Sequence, residues 1–192
     1  MSPRPLEFPV EGLTDGVVRL RLPADADVSR IVEACRDAQV RRFTTVPADY
    51  RPEHTLEWMQ RGMAGLAAGT DVHTVIAAVE DGDVLGTISL HEINRNTGRG
   101  VAGYLTAPWA RGAGIAARAL TLICEYAFAE VRLDRVEVTI EPENAASRAT
   151  AEAVGFHKEG LLRSYMAIAG ARRDMLMYSL LPEDLRAQSA PG

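Results

Sequence analysis

The stretch that decides the fold is GYLTAPWARGAGIAARAL, from Gly103 to Leu120. It starts as the end of a strand-like segment, is interrupted by Pro108, and passes through a glycine-containing loop into an apolar helical pattern. The first amides of a helix have no acceptor within the helix and lie at the positive end of its dipole. Two glycines and two alanines let an anion approach these amides closely, and Arg111 adds a cation. The stretch therefore predicts a pyrophosphate-binding loop at a helix N-terminus.

Three other kinds of loop share parts of this pattern. A nucleotide P-loop places Lys-Ser or Lys-Thr after its last glycine, whereas Ile115 and Ala116 follow Gly114, so no residue can coordinate magnesium. A dinucleotide-binding loop follows the first strand of its sheet, whereas this loop follows the fourth strand of a meander. Both fit poorly. An ordinary strand-to-helix turn, whose glycines only satisfy backbone geometry, stays open as an alternative.

Hydrophobic periodicity in the rest of the chain predicts about seven strands and about four helices. Short turns such as Asp81-Gly82-Asp83 link the strands before the loop, and this makes them antiparallel neighbours. The long helix after the loop leads into another strand, and such a crossover favours parallel pairing. We therefore predict an α/β (α+β) fold with a mixed, mostly antiparallel sheet. The predicted strands are 17–22, 72–80, 84–90, 101–105, 135–141, 159–168 and 172–181, and the predicted helices begin near Val28, Pro52, Ile115 and Ala145.

The chain is predicted to form one domain that spans residues 1–192, with its core at about 17–181. Residues 1–16 are expected to be an irregular lead-in, and the residues after Pro182 a loose tail. An apolar stripe in the second helix is expected to pack in the core because its residues recur at helical spacing. Its members are Leu56, Met59, Met63 and Leu66.

Composition and charge indicate a globular protein and argue against several classes. Of the 192 residues, 47% are apolar and 24% are charged, which is typical of a domain with a sizeable core. The net charge of −5 argues against sequence-independent nucleic-acid binding, which needs a basic surface. No apolar run approaches the ~20 residues that span a bilayer, and the N-terminus lacks the pattern of an export signal. Cys35 and Cys124 fall within apolar helical patterns, so we expect reduced core thiols in a cytoplasmic protein.

An ordered set of motifs gives the chain a family resemblance. Arg111-x-x-Gly114-x-Ala116, between an antiparallel meander and a long helix, resembles the coenzyme A signature of the GNAT acyltransferase superfamily. Further motifs resemble those of its RimJ/RimL-like branch, and the whole set covers about residues 17–181. These motifs are Gly103-Tyr104-Leu105, Leu133-Asp134-Arg135-Val136, Asn144-Ala145-Ala146-Ser147, Gly155-Phe156, Glu159-Gly160, and Arg173-Asp174 with Tyr178.

The resemblance implies a splayed sheet that binds acetyl-CoA as co-substrate. Two neighbouring strands, one ending near Thr106 and one starting at Arg135, would separate, and the thioester arm would lie between them. The amides of that arm would pair with the backbone of Leu105 and Thr106. The pyrophosphate would rest on the amides of the loop and the first helical turn, with Arg111 beside it. The residues that supply these amides are Gly112, Ala113, Gly114, Ile115 and Ala116.

The resemblance further implies direct attack of a primary amine on acetyl-CoA in a ternary complex. Likeness to the RimJ/RimL branch suggests the α-amine of a protein N-terminus, although the same branch includes enzymes for small-molecule amines. Neither a nucleic acid nor a membrane is expected as a partner. No metal is expected, because the histidines lack metal-ligand spacing. A homodimer is expected only because it is common in the family. The alternative function is a non-catalytic acyl-CoA sensor or scaffold with the same fold.

Asn144 and Ser147 are the candidate residues after the crossover strand. Asn144 precedes a helix, so it either caps that helix or contacts the coenzyme. The resemblance implies that the Ser147 hydroxyl protonates the departing thiolate or hydrogen-bonds its sulfur, although a serine in a first helical turn is often only solvated. Many relatives place a tyrosine acid seven residues after the asparagine, where this chain has Ala151. Tyr104 and Trp109 flank the loop and are expected to be packing residues.

The general base is the least determined part of the predicted site. At pH 7 an α-amine with a pKa of about 7.7–8.0 is neutral at roughly the ten-per-cent level, whereas a lysine amine near about 10.4 is neutral at well below roughly one per cent. An α-amine can therefore react through a water relay, but a lysine needs a base. Glu92, His91 and Glu141 end strands that can face the acceptor, and Glu92 is the candidate catalytic residue. The alternative for each is a solvated strand-end residue.

Overall fold

The glycine-containing loop joins one strand of an open sheet to the long helix that follows it. The computed structural model describes residues 4–189, and this range contains eight strands. They are β1 (Leu13–Thr14), β2 (Val18–Arg21), β3 (Val72–Ala78), β4 (Val84–Asn94), β5 (Arg99–Thr106), β6 (Arg135–Ile140), β7 (His157–Ile168) and β8 (Ala171–Leu180). Their spatial order is β1-β2-β3-β4-β5-β6-β8-β7, and every neighbouring pair is antiparallel except β5 and β6. The predicted mixed, mostly antiparallel sheet is therefore confirmed.

Six α-helices flank the sheet within the same range. They are α1 (Val28–Cys35), α2 (Ala38–Phe43), α3 (Pro52–Ala68), α4 (Ile115–Ala129), α5 (Ala145–Val154) and α6 (Pro182–Ser189). Their ends follow ordinary capping chemistry. The Asp37 side chain accepts hydrogen bonds from two amides at the start of α2, Pro52 opens α3, and Gly155 ends α5 in the left-handed conformation.

Apolar side chains pack on both faces of the sheet, and the two cores differ in size. The larger core lies between the sheet and helices α4 and α5, and it includes Ile88, Ile123 and Val138. The smaller core lies against α1 on the other face. Cys35 and Cys124 are buried and unpaired, as the sequence predicted.

Strands β5 and β6 separate after three residue pairs. Residues 99–101 pair with residues 135–137, and the pairing stops at Val101 and Glu137. Beyond this point β5 stays paired with β4 as far as Thr106, while β6 stays paired with β8 as far as Ile140. The result is a V-shaped gap in the sheet, called the gap below, that widens toward the loop before α4.

The C-terminal residues form a helix where the sequence predicted a loose tail. Helix α6 starts at Pro182, and the backbone amide of Leu181 donates to Asp184 Oδ2 at 2.9 Å. Leu185 packs against the larger core. Eight residues carry too little periodicity to predict a helix from the pattern alone. Residues 1–3 and 190–192, which belong to the expected lead-in and tail, lie outside the described residues.

The apolar stripe of α3, which was expected to pack in the core, is only partly covered: Leu66 packs against the larger core, whereas two other members are exposed. Leu56 and Met63 are 40% and 56% exposed, whereas Gly62 and Gly65 lie on the buried face. A Cβ on Gly62 would lie 2.6 Å from the Cβ of His73 in β3. The helix therefore lies too close to the sheet for larger side chains on that face, and helical spacing alone does not reveal which face is covered.

Candidate active site

A cleft of about 590 Å³ lies where the gap, the start of α4 and the start of α5 meet. Helix α2 forms one wall, and the sequence analysis did not predict this short helix. All of the predicted coenzyme-binding residues except Ala113 line the cleft. Its lining includes Gln39, Val40 and Phe43 of α2, Tyr104, Leu105 and Thr106 of β5, Arg111, Gly112, Gly114, Ile115 and Ala116 of the loop and α4, and Asn144 and Ser147 near the start of α5.

The loop before α4 leaves its backbone amides unused. Gly112 and Gly114 have φ angles of +78° and +72°, which glycine adopts without steric cost. A Cβ built on either residue would have no atom within 4 Å, so the space beside the loop is open. In the described part of the chain, no protein oxygen accepts a hydrogen bond from the backbone amides of residues 112–116. These donors lie at the positive end of the α4 dipole, an environment that suits an anion.

Arg111 is paired with a carboxylate at the rim of the cleft. Its Nη2 forms an ion pair with Oδ1 of Asp37, the residue that caps α2. The hydrogen bond from Arg111 holds the pKa of Asp37 below its usual value. A guanidinium has five N–H donors, so the pair leaves donors for a second anion. The pair also ties α2 to the loop, and this contact keeps α2 at the wall of the cleft.

Asn144 and Ser147 meet at the start of α5. Asn144 Oδ1 accepts a hydrogen bond from the backbone amide of Ser147 at 3.1 Å, which caps the helix. Of the two roles considered for Asn144, the structure shows capping, and contact with the coenzyme stays a prediction. Ala151 is fully buried on the same helix.

The Ser147 hydroxyl is hydrogen-bonded to a residue that sequence reasoning assigned to packing. Tyr104 Oη lies 2.8 Å from Ser147 Oγ, where either hydroxyl can be the donor, and 3.2 Å from the Ser147 carbonyl oxygen, which can accept the phenol hydrogen instead. Burial raises the pKa of Tyr104 to about 12, so the phenol stays protonated near neutral pH. The alternation of β5 indicates the face on which Tyr104 lies, but no sequence signal indicates that α5 places a serine opposite it.

The face of the sheet opposite α4, called the open face below, carries charged side chains beside the gap. The buried carboxylate of Glu137 accepts from Arg99 Nη1 at 2.7 Å and from Arg135 Nε at 2.8 Å. The buried carboxylate of Glu141 accepts from both Nη atoms of Arg42 at 2.8 and 2.9 Å. Both carboxylates are therefore engaged by guanidinium groups.

Glu92, the predicted catalytic carboxylate, lies near the C-terminal end of β4. The pairing of β4 with β5 is irregular between His91 and Asn94, and Glu92 has a φ of +52° there. Its side chain is 65% exposed, and it does not line the cleft that Ser147 lines. A catalytic role for Glu92 stays a prediction.

Comparison with known proteins assigns this arrangement to a family. The family model described as "Acetyltransferase (GNAT) domain" matches residues 18–157. The chain belongs to the GNAT acetyltransferase family. This GNAT protein is therefore an N-acetyltransferase that uses acetyl-CoA as its acyl donor.

Relatives of this GNAT protein match it over much of its length. "Probable N-acetyltransferase YjcK" of Bacillus subtilis is 31% identical over 146 residues, which cover 74% of this chain and 81% of that protein. "Uncharacterized N-acetyltransferase p20" of Bacillus licheniformis is 35% identical over 109 residues, which cover 57% of this chain and 61% of p20, less than two thirds of its length. The solved structure "Mycobacterium smegmatis RimJ in complex with CoA-disulfide" is 27% identical, covers 91% of this chain and 86% of that chain, and has a TM-score of 0.81. The RimJ/RimL-like resemblance is thereby confirmed.

The described residues contain neither a metal-binding cluster nor a membrane-spanning helix. Between residues 4 and 189, no three His, Cys, Asp or Glu side chains are grouped so that they can hold a metal ion. None of the helices in that range has the length and apolarity needed to cross a bilayer.

Proposed function

We propose that this GNAT protein acetylates the α-amine of a protein N-terminus, or a small primary amine, by direct attack on acetyl-CoA in a ternary complex. The observation that carries the proposal is the row of unused amides of residues 112–116 at the mouth of the gap. Those donors suit a diphosphate, and the gap exposes a strand edge to which an extended arm can pair. The hydroxyl groups of Tyr104 and Ser147 lie in the same cleft.

The residues of the cleft fit coenzyme A. Residues 112–116 would hold the pyrophosphate through their amides, and Arg111 would add donors that its pair with Asp37 leaves free. Beyond Val101, the edge of β5 that faces the gap is not paired with β6, so its backbone groups near Leu105 and Thr106 are not used by that strand. These groups would pair with the amides of the pantetheine arm, which would then lie like an additional strand.

Ser147 is the proposed acid in the transfer. Its hydroxyl would protonate the sulfur as the thiolate leaves, and Tyr104 would hydrogen-bond the serine oxygen while this happens. The high pKa of Tyr104 supports this role, because a phenol that stays protonated remains a donor. Ala151 stands where many relatives have a tyrosine, so a tyrosine acid at that position is excluded and the role falls to Ser147 or to solvent.

An α-amine acceptor is supported by its ionisation and by the resemblance to the RimJ/RimL branch. About one α-amine in ten is neutral at pH 7, whereas a lysine amine is almost entirely protonated. The carboxylates of Glu137 and Glu141 on the open face are already engaged by arginines. An α-amine, which loses its proton more readily than a lysine amine, therefore depends least on a base in the site.

Titration calorimetry followed by an acceptor screen tests the proposal. We expect acetyl-CoA to bind, and we expect thiol release with at least one member of a panel of free-N-terminus peptides and small amines. Mass spectrometry should locate the acetyl group on the amine. Binding without thiol release from any amine would favour the sensor or scaffold function instead. Absence of binding at millimolar acetyl-CoA would reject the proposed coenzyme site.

Three broader features stay predictions. We propose that residues 17–181 form the core of one domain, that the protein is cytoplasmic, and that it forms a homodimer without a nucleic-acid partner. The homodimer rests on the resemblance alone, and light scattering of the purified full chain would test it.

A further inference from the structure

The imidazole of His91 lies on the open face where the gap begins. Ser89 of β4 pairs with Gly103 of β5, and the His91 ring leans across this pair. A Cβ built on Gly103 would lie 3.3 Å from His91 Nε2. Because Gly103 has no side chain, the imidazole approaches the backbone of β5 directly. Gly103 lies just beyond Val101, the last residue of β5 that pairs with β6, and just before Tyr104.

The buried carboxylates beside the gap, which could also accept a proton, are already hydrogen-bonded. The carboxylate oxygens of Glu137 and Glu141 accept hydrogen bonds from arginine side chains. Among the described residues, no hydrogen bond engages either ring nitrogen of His91, although Glu92 Oε1 lies 4.0 Å from its Nδ1. His73, on the neighbouring strand, has its Nδ1 2.9 Å from the Trp58 carbonyl oxygen. His91 is therefore the histidine with a ring nitrogen available next to Gly103.

Building on the proposed function, we propose that His91 is the catalytic base that takes a proton from the acceptor amine. In that function the donor thioester occupies the gap beside Gly103 and Tyr104, and the acceptor approaches from the open face. An amine nitrogen that attacks there passes His91 Nε2, which lies 3.3 Å from the position that a Cβ on Gly103 would take. Glu92, in contrast, is held at the irregular end of β4 with an exposed side chain.

The chemistry requires two protons to leave the acceptor nitrogen. An amine that arrives as R–NH3+ gives one proton to His91 Nε2, and the resulting imidazolium later returns it to solvent. The freed lone pair forms the C–N bond to the thioester carbonyl carbon, and the C–S bond breaks with its electron pair on sulfur. The sulfur takes the Ser147 proton, and the second proton from nitrogen restores the serine. The products are the acetylated amine, CoA–SH and one proton.

The surroundings of His91 favour its neutral form. Burial lowers the pKa of His91 below its ordinary value of 6.5, while the carboxylates of Glu92 and Asp71 act in the opposite direction. A neutral imidazole at pH 7 has a lone pair ready to accept a proton. The charged and titratable groups around this part of the open face, from β3 to β6 and α3, are Asp71, His73, Glu92, Arg99, Arg135, Glu137 and Arg61.

His91→Gln in the full chain tests the proposal, with the peptide or amine that gives the fastest thiol release in the acceptor screen. Glutamine keeps a polar side chain of similar reach but cannot take up a proton near neutral pH. We expect unchanged acetyl-CoA affinity and a fall in kcat of about 100-fold. The wild-type kcat should decline on the acid side only below pH 6.5, and this decline should be absent from the variant. Added imidazole should restore part of the lost rate.

His73→Gln is the matched control, because His73 lies on the same face one strand away and its Nδ1 is already engaged. Its kcat should stay within about threefold of the wild type. An unchanged rate and pH profile in His91→Gln would overturn the proposal, and so would a slow variant that keeps the acid-side decline. A loss in Glu92→Gln with none in His91→Gln would transfer the role to Glu92. A wild-type chain that neither binds acetyl-CoA nor releases thiol would instead reject the proposed function, before any variant is compared.

Discussion

Tyr104 Oη lies 2.8 Å from Ser147 Oγ, and this contact joins β5 to the first turn of α5 across the cleft. When the phenol donates its hydrogen to the serine hydroxyl and not to the serine carbonyl oxygen, the serine can still donate its own hydrogen to a third group. The arrangement is therefore suited to an acid that protonates a departing sulfur. It also makes the two hydroxyl groups one functional unit, whose members are expected to respond together to substitution.

Ser147→Ala should lower turnover by about 10–100-fold while acetyl-CoA binding stays nearly unchanged. Tyr104→Phe should have a smaller effect, about 3–10-fold, because the phenol acts through the serine. The double variant should then be no slower than Ser147→Ala. Steady-state thiol release and calorimetry provide the two measurements. A serine variant as active as the wild type would remove Ser147 from the mechanism.

Gly114→Asp should weaken acetyl-CoA binding by about 2–4 kcal/mol, because it places a carboxylate where the diphosphate is proposed to bind. Gly170 provides a matched control in the turn between β7 and β8. Its φ of +78° is close to the +72° of Gly114, and a Cβ there would also have no atom within 4 Å. Gly170→Asp should therefore carry similar backbone strain and retain the affinity. Equal losses in calorimetry would attribute the effect to strain rather than charge.

Asp37→Asn should tighten acetyl-CoA binding about two- to fivefold. Asparagine can still cap α2, but it removes a negative charge beside the loop and frees Arg111 for the phosphates. The gain should shrink at high ionic strength, because it is electrostatic. Asp184→Asn makes the same chemical change at the start of α6 and should leave the affinity unaltered. Weaker binding by Asp37→Asn at every salt concentration would show that the ion pair is needed to position α2.

Glu159→Gln should make stability less dependent on pH in acid. The hydrogen bonds from Arg135 and Ser179 lower the pKa of Glu159 to about 2, from an ordinary value of 4.5. A carboxylate whose pKa is lowered by folding stabilises the protein fully when the pH is above its pKa in the unfolded chain. This stabilisation is lost as the pH falls toward its pKa in the folded protein. The variant should therefore unfold at a slightly lower temperature than the wild type at pH 7, and the difference should shrink toward about pH 3. The effect should be modest, because the side chain is partly exposed. A difference in Tm that is constant with pH would contradict this assignment.

Gly62→Ala should lower the Tm, although alanine is about 1 kcal/mol better than glycine in a helix. The added Cβ would lie 2.6 Å from the Cβ of His73, so α3 would have to move away from β3. Ala67→Gly is the control, at an exposed position of the same helix. It changes only the helix propensity, in the opposite direction, so the fall in its Tm measures that contribution. A higher Tm for Gly62→Ala would show that the helix moves at little cost.

Features with a local cause could be predicted from the sequence. The alternation of strands β2 to β6, the turn at Asp81-Gly82-Asp83 and the left-handed Gly155 at the end of α5 depend on neighbours within a few residues. The glycines before α4 belong to the same class, because their left-handed conformation and the helix start are coded by adjacent positions. Local chemistry was therefore sufficient for these strands, turns and helix ends.

Contacts between distant segments could not be predicted in this way. Asp37 and Arg111 are 74 residues apart, and Tyr104 and Ser147 are 43 residues apart. Periodicity indicates which side of an element is apolar, but it carries no information on which polar side chain of another element will face it. For the same reason, the pattern of α3 showed a stripe without showing that the glycines would face the sheet, and no local pattern indicated that Arg111 would pair with Asp37.

The separation of β5 from β6 also bears on the kinetic order of the proposed reaction. An opening that passes through a sheet has two entrances, and under the proposed placement the donor and the acceptor use different ones. Neither substrate then obstructs the path of the other. We expect either product to be able to depart while the other is still bound, so that the sequence of release is set by relative affinity and not by crowding at a shared exit.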